Sequence, residues 1–180
     1  MHKEDKKSKM LISEANKQIE YMSNTIDGFR DFYNPSKAKE EFSIKEASQN
    51  ALQIVSHSLK ASNIEVIENF EEESFVYGNR NEFEQVILNL INNAKDAFLE
   101  REIISPIIEI TLQNKVLSIR DNGGGISKDN IRKIFNPYFS TKKDSDGIGL
   151  YISKMIIEQE LGGVLKVQSD SKGTTFTIIL

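Results

Sequence analysis

Residues 121–126 form the stretch Asp-Asn-Gly-Gly-Gly-Ile, whose residue types suit a site for a flat ligand. The stretch follows a predicted strand, so the Asp121 carboxylate stands at a strand end, where it can accept a hydrogen bond from an exocyclic amine. Glycines have no side chain, and a planar ring could therefore lie against their main chain. The same residues are also typical of a tight turn after a strand, and both interpretations stay open at this point.

Two asparagines, Asn89 and Asn93, are candidates for binding a metal ion together with phosphate. They lie four residues apart on a predicted helix and share a face, while Asn92 points away from it. That face borders an apolar stripe, where amides are unfavourable unless they have hydrogen-bonding partners. A hydrated Mg²⁺ ion and phosphate oxygens are suitable partners, because Mg²⁺ prefers oxygen ligands. The alternative is an amide cluster that ties the helix to a neighbouring loop.

A third candidate is the start of the last predicted helix, which begins with Gly147 and Gly149. A glycine-rich helix start exposes free backbone N–H groups at the positive end of the helix dipole, which favours anions. Thr141, Lys142 and Lys143 precede it and add a hydroxyl and two ammonium groups. Glycine-rich helix starts are common, so this signal is weak alone, and the Gly-Lys-Ser/Thr ending of a P-loop is absent.

From residue 41 onward, hydrophobic periodicity predicts a domain of alternating strands and helices. Ser43 is the predicted N-cap of the first helix, with Glu46 completing a capping box. The predicted elements are strand 42–44, helix 44–60, strands 63–70 and 75–78, helix 81–98, hairpin strands 107–112 and 115–120, a helix from about 127, a loop at 136–146, helix 147–161, and strands 164–169 and 174–180. The apolar side of helix 81–98 is predicted to be Phe83, Val86, Ile87, Leu90, Ile91, Ala94 and Ala97.

Residues 1–36 have a different pattern. Apolar residues recur at alternating spacings of three and four from Ile12 to Tyr33, which indicates one long amphipathic helix, and Asn34-Pro35 ends it. A single helix cannot bury such a stripe, so we expect a partner helix from upstream chain or from a second copy. The alternative is a helix folded back on its own domain.

The composition limits the classes of partner. A net charge of -4 and a pI near 5.4 argue against nucleic acid, because phosphate binding needs a basic surface. The chain has no cysteine, which excludes disulfides and thiolate metal sites. No apolar run approaches the roughly 20 residues that span a bilayer. We therefore expect a cytoplasmic polypeptide, or the cytoplasmic end of a membrane protein.

Taken together and in this order, the motifs resemble the nucleotide-binding boxes of the ATP-binding domain of bacterial sensor histidine kinases. That domain shares the Bergerat fold with gyrase, heat-shock chaperone ATPases and mismatch-repair ATPases. The matching segments are residues 85–94 (asparagine box), 121–126 (first glycine box), 135–139 (phenylalanine box), 140–142 (start of the lid) and 145–150 (second glycine box). The resemblance covers residues 41–180, and residues 21–32 resemble the second helix of the family's dimerisation and phosphotransfer hairpin.

The resemblance implies an α+β fold: a Bergerat-type α/β sandwich with a mixed, mostly antiparallel sheet and helices on one face, preceded by a long amphipathic helix at residues 1–36. It implies that Asp121 reads the adenine amino group and that Asn93, supported by Asn89, holds Mg²⁺ against the phosphates of ATP. The full set of implied ATP-binding residues is Asn89, Asn93, Asp96, Asp121, Gly123, Gly125, Ile126, Phe135, Phe139, Thr141, Lys142, Gly147, Ile148, Gly149 and Leu150.

This chain departs from the family pattern in three places. Ser145 stands where the second glycine box usually begins with glycine, and the lid before Gly147 is very short. The family's phosphoacceptor histidine, in a His-Glu/Asp motif, is missing: the two histidines are His2, in a charged leader, and His57, expected to be a partly buried structural residue. We therefore expect a fragment that starts after the phosphoacceptor helix; the alternative is a natural protein that lacks this helix.

The expected function is transfer of the γ-phosphoryl group of Mg·ATP to a histidine on an upstream helix, for relay to the receiver domain of a response regulator. The full-length protein is expected to be a homodimer, and the resemblance is compatible with an anchor in the inner membrane. The alternatives are a hydrolytic ATPase of the gyrase or chaperone kind and a nucleotide-binding module without chemistry. A hydrolytic relative would carry a glutamate at the position of Asn89, and an amide is a poor general base.

Overall fold

A computed structural model describes residues 38–71, 73–142 and 145–180. The heptad helix predicted within residues 1–36 therefore lies outside the described residues. The elements in chain order are β1 (Glu40–Ser43), α1 (Ile44–Ala61), β2 (Glu65–Phe70), β3 (Phe75–Gly78), α2 (Arg80–Glu100), β4 (Ile107–Gln113), β5 (Val116–Asp121), α3 (Lys128–Ile131), α4 (Gly149–Met155), a π-helical turn (Ile156–Glu160), β6 (Val164–Ser169) and β7 (Thr174–Ile179).

The main sheet has the strand order β2-β4-β5-β7-β6, and its only parallel pair among the described strands is β2 with β4. A separate antiparallel ribbon is formed by β1 and β3. The parallel pair follows from the chain path, because α2 and the short β3 lie between β2 and β4 and carry the chain back to the same end. The predicted mixed, mostly antiparallel sheet is confirmed.

One face of this sheet carries the core. In β4, Ile108, Ile110 and Leu112 are fully buried, while the residues between them keep partial exposure. The same alternation continues in β5 with Leu117 and Ile119. Side chains of a strand point alternately to opposite faces, so the helices cover one face, as predicted.

The β4–β5 hairpin turns at Asn114 and Lys115, which have φ values of 50° and 61°. Positive φ at both central residues is the geometry of a type I′ turn, whose twist matches that of the flanking strands. The predicted hairpin around Asn114 is confirmed, and it sets the register that places Asp121 opposite Ile108.

Helix α2 packs against α1, α4 and β5. Asn79 caps it by accepting a hydrogen bond from the backbone N–H of Glu82 at 3.1 Å. The predicted core face is correct except at its end, where Phe98 is buried and Ala97 is only partly buried. Phe98 follows Ala94 by four residues, a spacing that keeps it on the buried face. Ala97 lies at the edge of that face.

Helix α1 begins as predicted, since the hydroxyl of Ser43 accepts a hydrogen bond from the Glu46 N–H at 3.2 Å. The expectation for His57 was wrong: its side chain is exposed. The buried residues Val55 and Leu59 are each two positions from His57. Two helical positions correspond to about 200° of rotation, so His57 faces away from the core.

The last long helix begins later than predicted. Gly147 has a φ of +66°, so it cannot belong to a right-handed helix, and α4 begins at Gly149. The helix continues as a π-helical turn in which Ile156 and Ile157 are both buried. Such a turn widens the helix locally. None of the helices within the described ranges is long and apolar enough to cross a bilayer.

We predict that Phe83→Ala destabilises this domain by about 3–5 kcal/mol, because it removes a fully buried ring and leaves a cavity. Phe83 is inaccessible to solvent, and its ring centroid lies 5.5 Å from that of Phe42. Urea denaturation followed by circular dichroism measures the change. Leu99→Ala on the same helix is the control, since Leu99 is 56% exposed and should change stability by less than about 0.5 kcal/mol. Equal losses in the two variants would contradict the assigned core face.

Candidate functional site

A cavity of about 480 Å³ opens beside α2, at the end of β5. This volume is in the range of sites that bind small molecules and cofactors. Most of the residues singled out from the sequence line it, namely Asn89, Asn93, Asp96, Asp121, Gly123, Gly125, Ile126, Phe139, Thr141, Lys142, Gly147, Gly149 and Leu150. The fold therefore brings three separate sequence motifs to one cavity.

Two of the predicted residues do not line the cavity. Phe135 packs edge-on against Phe176 with ring centroids 6.5 Å apart, and the ammonium group of Lys154 lies 5.2 Å from its ring centre. Phe176 does line the cavity, so Phe135 contacts the site through that residue. Ile148 is 4% exposed and belongs to the core.

Asp121 is the last residue of β5, and its carboxylate is held in one orientation. Its Oδ1 atom accepts hydrogen bonds from the backbone N–H groups of Gly123 at 2.8 Å and Thr174 at 3.2 Å. Among the described residues, no hydrogen bond reaches Oδ2. One oxygen thus fixes the side chain, and the other is available as an acceptor in the cavity that Asp121 lines.

The protonation of Asp121 depends on opposing effects. Burial raises the pKa of its carboxyl group, because a desolvated carboxylate loses its hydration. The two backbone hydrogen bonds lower the pKa, and the positive charge of Arg101 lowers it further. Burial is the largest of these effects, and the net pKa is raised above the ordinary Asp value.

Of the three glycines after Asp121, Gly125 packs against the backbone of a neighbouring turn, whereas Gly123 and Gly124 lie against side chains. Gly125 has a φ of +75°, and a Cβ atom there would collide with the carbonyl oxygen of Asp170. Asp170 belongs to the turn between β6 and β7, so the glycine stretch and this turn pack main chain against main chain. The backbone N–H of Ile126 also donates to the Ser169 hydroxyl at 2.7 Å. Glycine is thus required at position 125 by a neighbouring turn.

Asn89 and Asn93 have different environments although both face the cavity. The Asn89 amide donates to the hydroxyl of Ser153 at 2.8 Å, and that hydroxyl donates to the carbonyl of Gly149 at 3.0 Å. Asn89 therefore ties α2 to the start of α4. Asn93 accepts from the ammonium group of Lys142 through Oδ1 at 3.3 Å, while its Nδ2 is buried with no hydrogen-bonding partner among the described residues.

Lys142 also forms an ion pair with Asp96, with 2.6 Å between Nζ and Oδ2. The two side chains are 28% and 48% exposed. An ion pair that is this accessible to water contributes little to stability. Its effect is to place a cation at the Asn93 end of the cavity.

Sequence reasoning missed several residues of the cavity wall, including Arg101, Thr174 and Phe176. Thr174 and Phe176 are in the last strand, and their positions depend on the pairing of β7 with β5. Arg101 is the C-cap residue of α2, and its guanidinium group donates to the carbonyl oxygen of Gly123. No motif in the sequence marks these residues, because each reaches the site through long-range packing.

Comparisons with known proteins identify the family of this domain. Residues 78–180 match the profile of the family described as histidine kinase-, DNA gyrase B-, and HSP90-like ATPase. Sporulation kinase C of Bacillus subtilis is 31% identical over 122 residues, which cover 66% of this chain and 28% of that protein. The signal transduction histidine-protein kinase AtoS of Escherichia coli is 28% identical over 172 residues, which cover 94% of this chain and 28% of AtoS.

Solved structures of histidine kinases are also similar to this chain. The catalytic domain of histidine kinase ThkA superposes with a TM-score of 0.68 at 28% identity, over 78% of this chain and 93% of that domain. ThkA in complex with response regulator protein TrrA superposes with a TM-score of 0.67 at 25% identity, over 89% of this chain and 48% of that one. The chain spans 28% of the length of the two curated relatives named above.

The family profile covers more than half of the chain and contains α2, the Asp121 stretch and every residue of the cavity wall. The chain therefore belongs to the family of histidine kinase-, DNA gyrase B- and HSP90-like ATPases.

Proposed function

We propose that the cavity binds Mg·ATP and that residues 41–180 are the catalytic part of a sensor histidine kinase. The observation that carries this proposal is the distribution of chemistry in one cavity. A fixed, buried carboxylate (Asp121) lines the same cavity as an amide beside a lysine ammonium group (Asn93 with Lys142). An adenine amino group needs the first arrangement, and a metal-bound phosphate chain needs the second.

The residues present fit Mg²⁺ and phosphate. A buried amide donor without a partner is unfavourable by about 1–3 kcal/mol, and Nδ2 of Asn93 is such a donor within the described part of the chain. A phosphate oxygen or a metal-bound water would satisfy it, and Oδ1 of the same side chain is a type of oxygen that Mg²⁺ binds. When bound, Mg²⁺ would neutralise charge on the phosphates.

The remaining residues would hold and orient the nucleotide. Asp121 would accept a hydrogen bond from the adenine amino group through Oδ2, while Lys142 and Asp96 lie at the Asn93 end. Lys142, Gly147, Gly149 and Leu150 would contact the phosphates. Phosphoryl transfer requires an attacking group in line with the γ-phosphate, so the contribution of this domain is positioning and charge stabilisation.

The chemistry and the hydrogen bond of Asn89 both argue against hydrolysis of ATP by water. A water-activating base at this position would have to accept a proton, and an amide is a poor base. The Asn89 amide is also engaged with Ser153, so it acts as a structural link. We therefore propose that the phosphoryl acceptor is a histidine on an upstream helix that is absent from this chain.

The further partners follow from the relatives and extend this proposal. The acceptor histidine would pass its phosphoryl group to the receiver domain of a response regulator, which is the kind of partner named in the ThkA complex. The full-length kinase would be a homodimer joined through the hairpin helices. Any anchor in the inner membrane would belong to the full-length protein.

We predict that Asp121→Asn weakens ATP binding by about 1–3 kcal/mol, because the amide presents an NH₂ group where the adenine needs an acceptor. Isothermal titration calorimetry with ATP and with inorganic tripolyphosphate measures the two ends of the site separately. Tripolyphosphate binding should stay unchanged. Equal ATP affinity in wild type and variant would show that the adenine contact is assigned to the wrong residue.

The same variant should remain folded, because the side-chain oxygen of the introduced asparagine can keep both backbone hydrogen bonds. Burial raises the Asp121 pKa, so the stability that wild type gains from this group is present at low pH and lost as pH rises through the raised pKa. At neutral pH the variant should therefore unfold at a temperature no lower than wild type, as measured by differential scanning calorimetry. Asp129→Asn is the control, since Asp129 is exposed. A lower unfolding temperature in Asp121→Asn alone would contradict this expectation.

At the Asn93 end of the cavity, we predict that Asn93→Ala abolishes the strengthening of ATP binding by Mg²⁺. Titrations with and without Mg²⁺ measure this effect, and Asn50→Ala is the control, since Asn50 bonds Glu84 on the protein surface at 3.2 Å. An unchanged magnesium dependence in Asn93→Ala would place the metal elsewhere.

We predict that this chain binds ATP but does not phosphorylate itself. His57 is exposed on α1 and does not line the cavity, and His2 lies outside the described residues. Incubation with γ-labelled ATP should label a His-Glu hairpin added in trans and leave the chain unlabelled. Acid-labile label on the chain alone, lost in His57→Gln, would make His57 the acceptor.

A further inference from the structure

Arg101 contacts the glycine stretch from the end of α2. Its Nη1 group donates a hydrogen bond to the carbonyl oxygen of Gly123. A Cβ atom built on Gly124 would lie 2.9 Å from the same nitrogen. The guanidinium group therefore lies directly against the Gly123–Gly124 peptide, and this contact joins the end of α2 to the loop after β5.

Gly123 is also held by Asp121, through its backbone N–H group. The N–H of Gly123 donates to Oδ1 of Asp121 at 2.8 Å, while its carbonyl accepts from Arg101. Gly123 thus has both of its backbone polar groups engaged by oppositely charged side chains. A glycine is the residue with the greatest freedom to leave such a conformation, so the two contacts together determine the shape of the loop.

Arg101 also affects the charge of Asp121. The charged side chains that line the cavity besides Asp121 are Asp96, Glu100, Arg101, Lys142 and Asp146. Of these, Arg101 is the one whose charge lowers the pKa of Asp121, against the larger effect of burial. A buried carboxylate that must stay ionised near neutral pH benefits from such a neighbour.

We propose that Arg101 is a positioning residue of the nucleotide site, which fixes the Gly123 peptide and keeps Asp121 as an ionised hydrogen-bond acceptor for the base. This inference rests on the proposed function of the cavity. Arg101 would act through Asp121 and the glycine stretch, at the end of the cavity where the adenine base is proposed to bind. If a residue contacted the phosphates directly, its substitution would weaken the binding of tripolyphosphate as strongly as the binding of a nucleotide.

The experiment compares the full chain with Arg101→Met and Arg101→Lys. Methionine keeps an apolar stem without charge or donors, whereas lysine keeps the charge and loses the planar fork. Arg132→Met is the matched control, because Arg132 is the exposed C-cap of α3 and does not line the cavity. Binding of ADP and of tripolyphosphate is measured by calorimetry from about pH 8 to about pH 5, just above the ordinary Asp range.

We expect Arg101→Met to weaken ADP binding by about fivefold to tenfold near pH 8, with a larger loss toward pH 5. The loss should grow because Asp121 becomes protonated at higher pH once the guanidinium charge is gone. Arg101→Lys should keep the wild-type pH profile and recover part of the affinity. Tripolyphosphate binding and the Arg132→Met control should match wild type.

Wild-type ADP affinity and pH profile in Arg101→Met would overturn the inference, as would an equal loss of tripolyphosphate binding. If Arg101→Met does not fold, a pH profile of Arg101→Lys that is shifted to higher pH would overturn the electrostatic role by itself. Failure of wild type to bind ADP would instead overturn the proposed function. The two failures are therefore distinguishable.

Discussion

The carboxylate of Asp121 connects three parts of the fold through a single oxygen atom. Oδ1 accepts hydrogen bonds from Gly123 in the following loop and from Thr174 at the start of β7. Asp121 is 8% exposed, so these bonds are protected from water and hold the side chain in place. The glycine stretch and the start of the last strand are therefore held by one side-chain oxygen atom of Asp121, and its second oxygen remains for a ligand.

Helix α2 serves both the core and the site because its faces have different neighbours. Phe83, Ile87 and Ile91 are fully buried against the rest of the domain. The face with Asn89 and Asn93 borders this core and faces the cavity. The packing of the buried face holds the Asn89 and Asn93 face in a fixed geometry. A binding site with fixed geometry loses less side-chain entropy when the ligand binds.

The two asparagines show why the sequence alone left their roles open. The interpretation as a structural amide describes Asn89, while metal and phosphate binding stays a proposal for Asn93. Asn89 is a structural amide bonded to Ser153, and Asn93 has a buried donor without a partner among the described residues. Their spacing of four residues predicted a shared face, but it could not say which amide would meet a partner from α4. The prediction that His57 is partly buried was wrong for a related reason, because the sequence of a helix alone does not show which of its sides other elements cover.

Local sequence patterns predicted the elements and most of the residues that line the candidate site. Alternation predicted strands, the capping box of Ser43 and Glu46 predicted the start of α1, and the apolar side of residues 81–98 predicted α2. The candidate ligand contacts came from three short motifs together with their resemblance to a known family. Only the tertiary structure decided that Gly125 must be glycine because of the Asp170 backbone, that Thr174 orients Asp121, and that Arg101 contacts Gly123. These contacts join residues that are distant in the sequence. Periodicity and propensity describe neighbours along the chain, whereas such contacts arise from the order in which the sheet and helices pack.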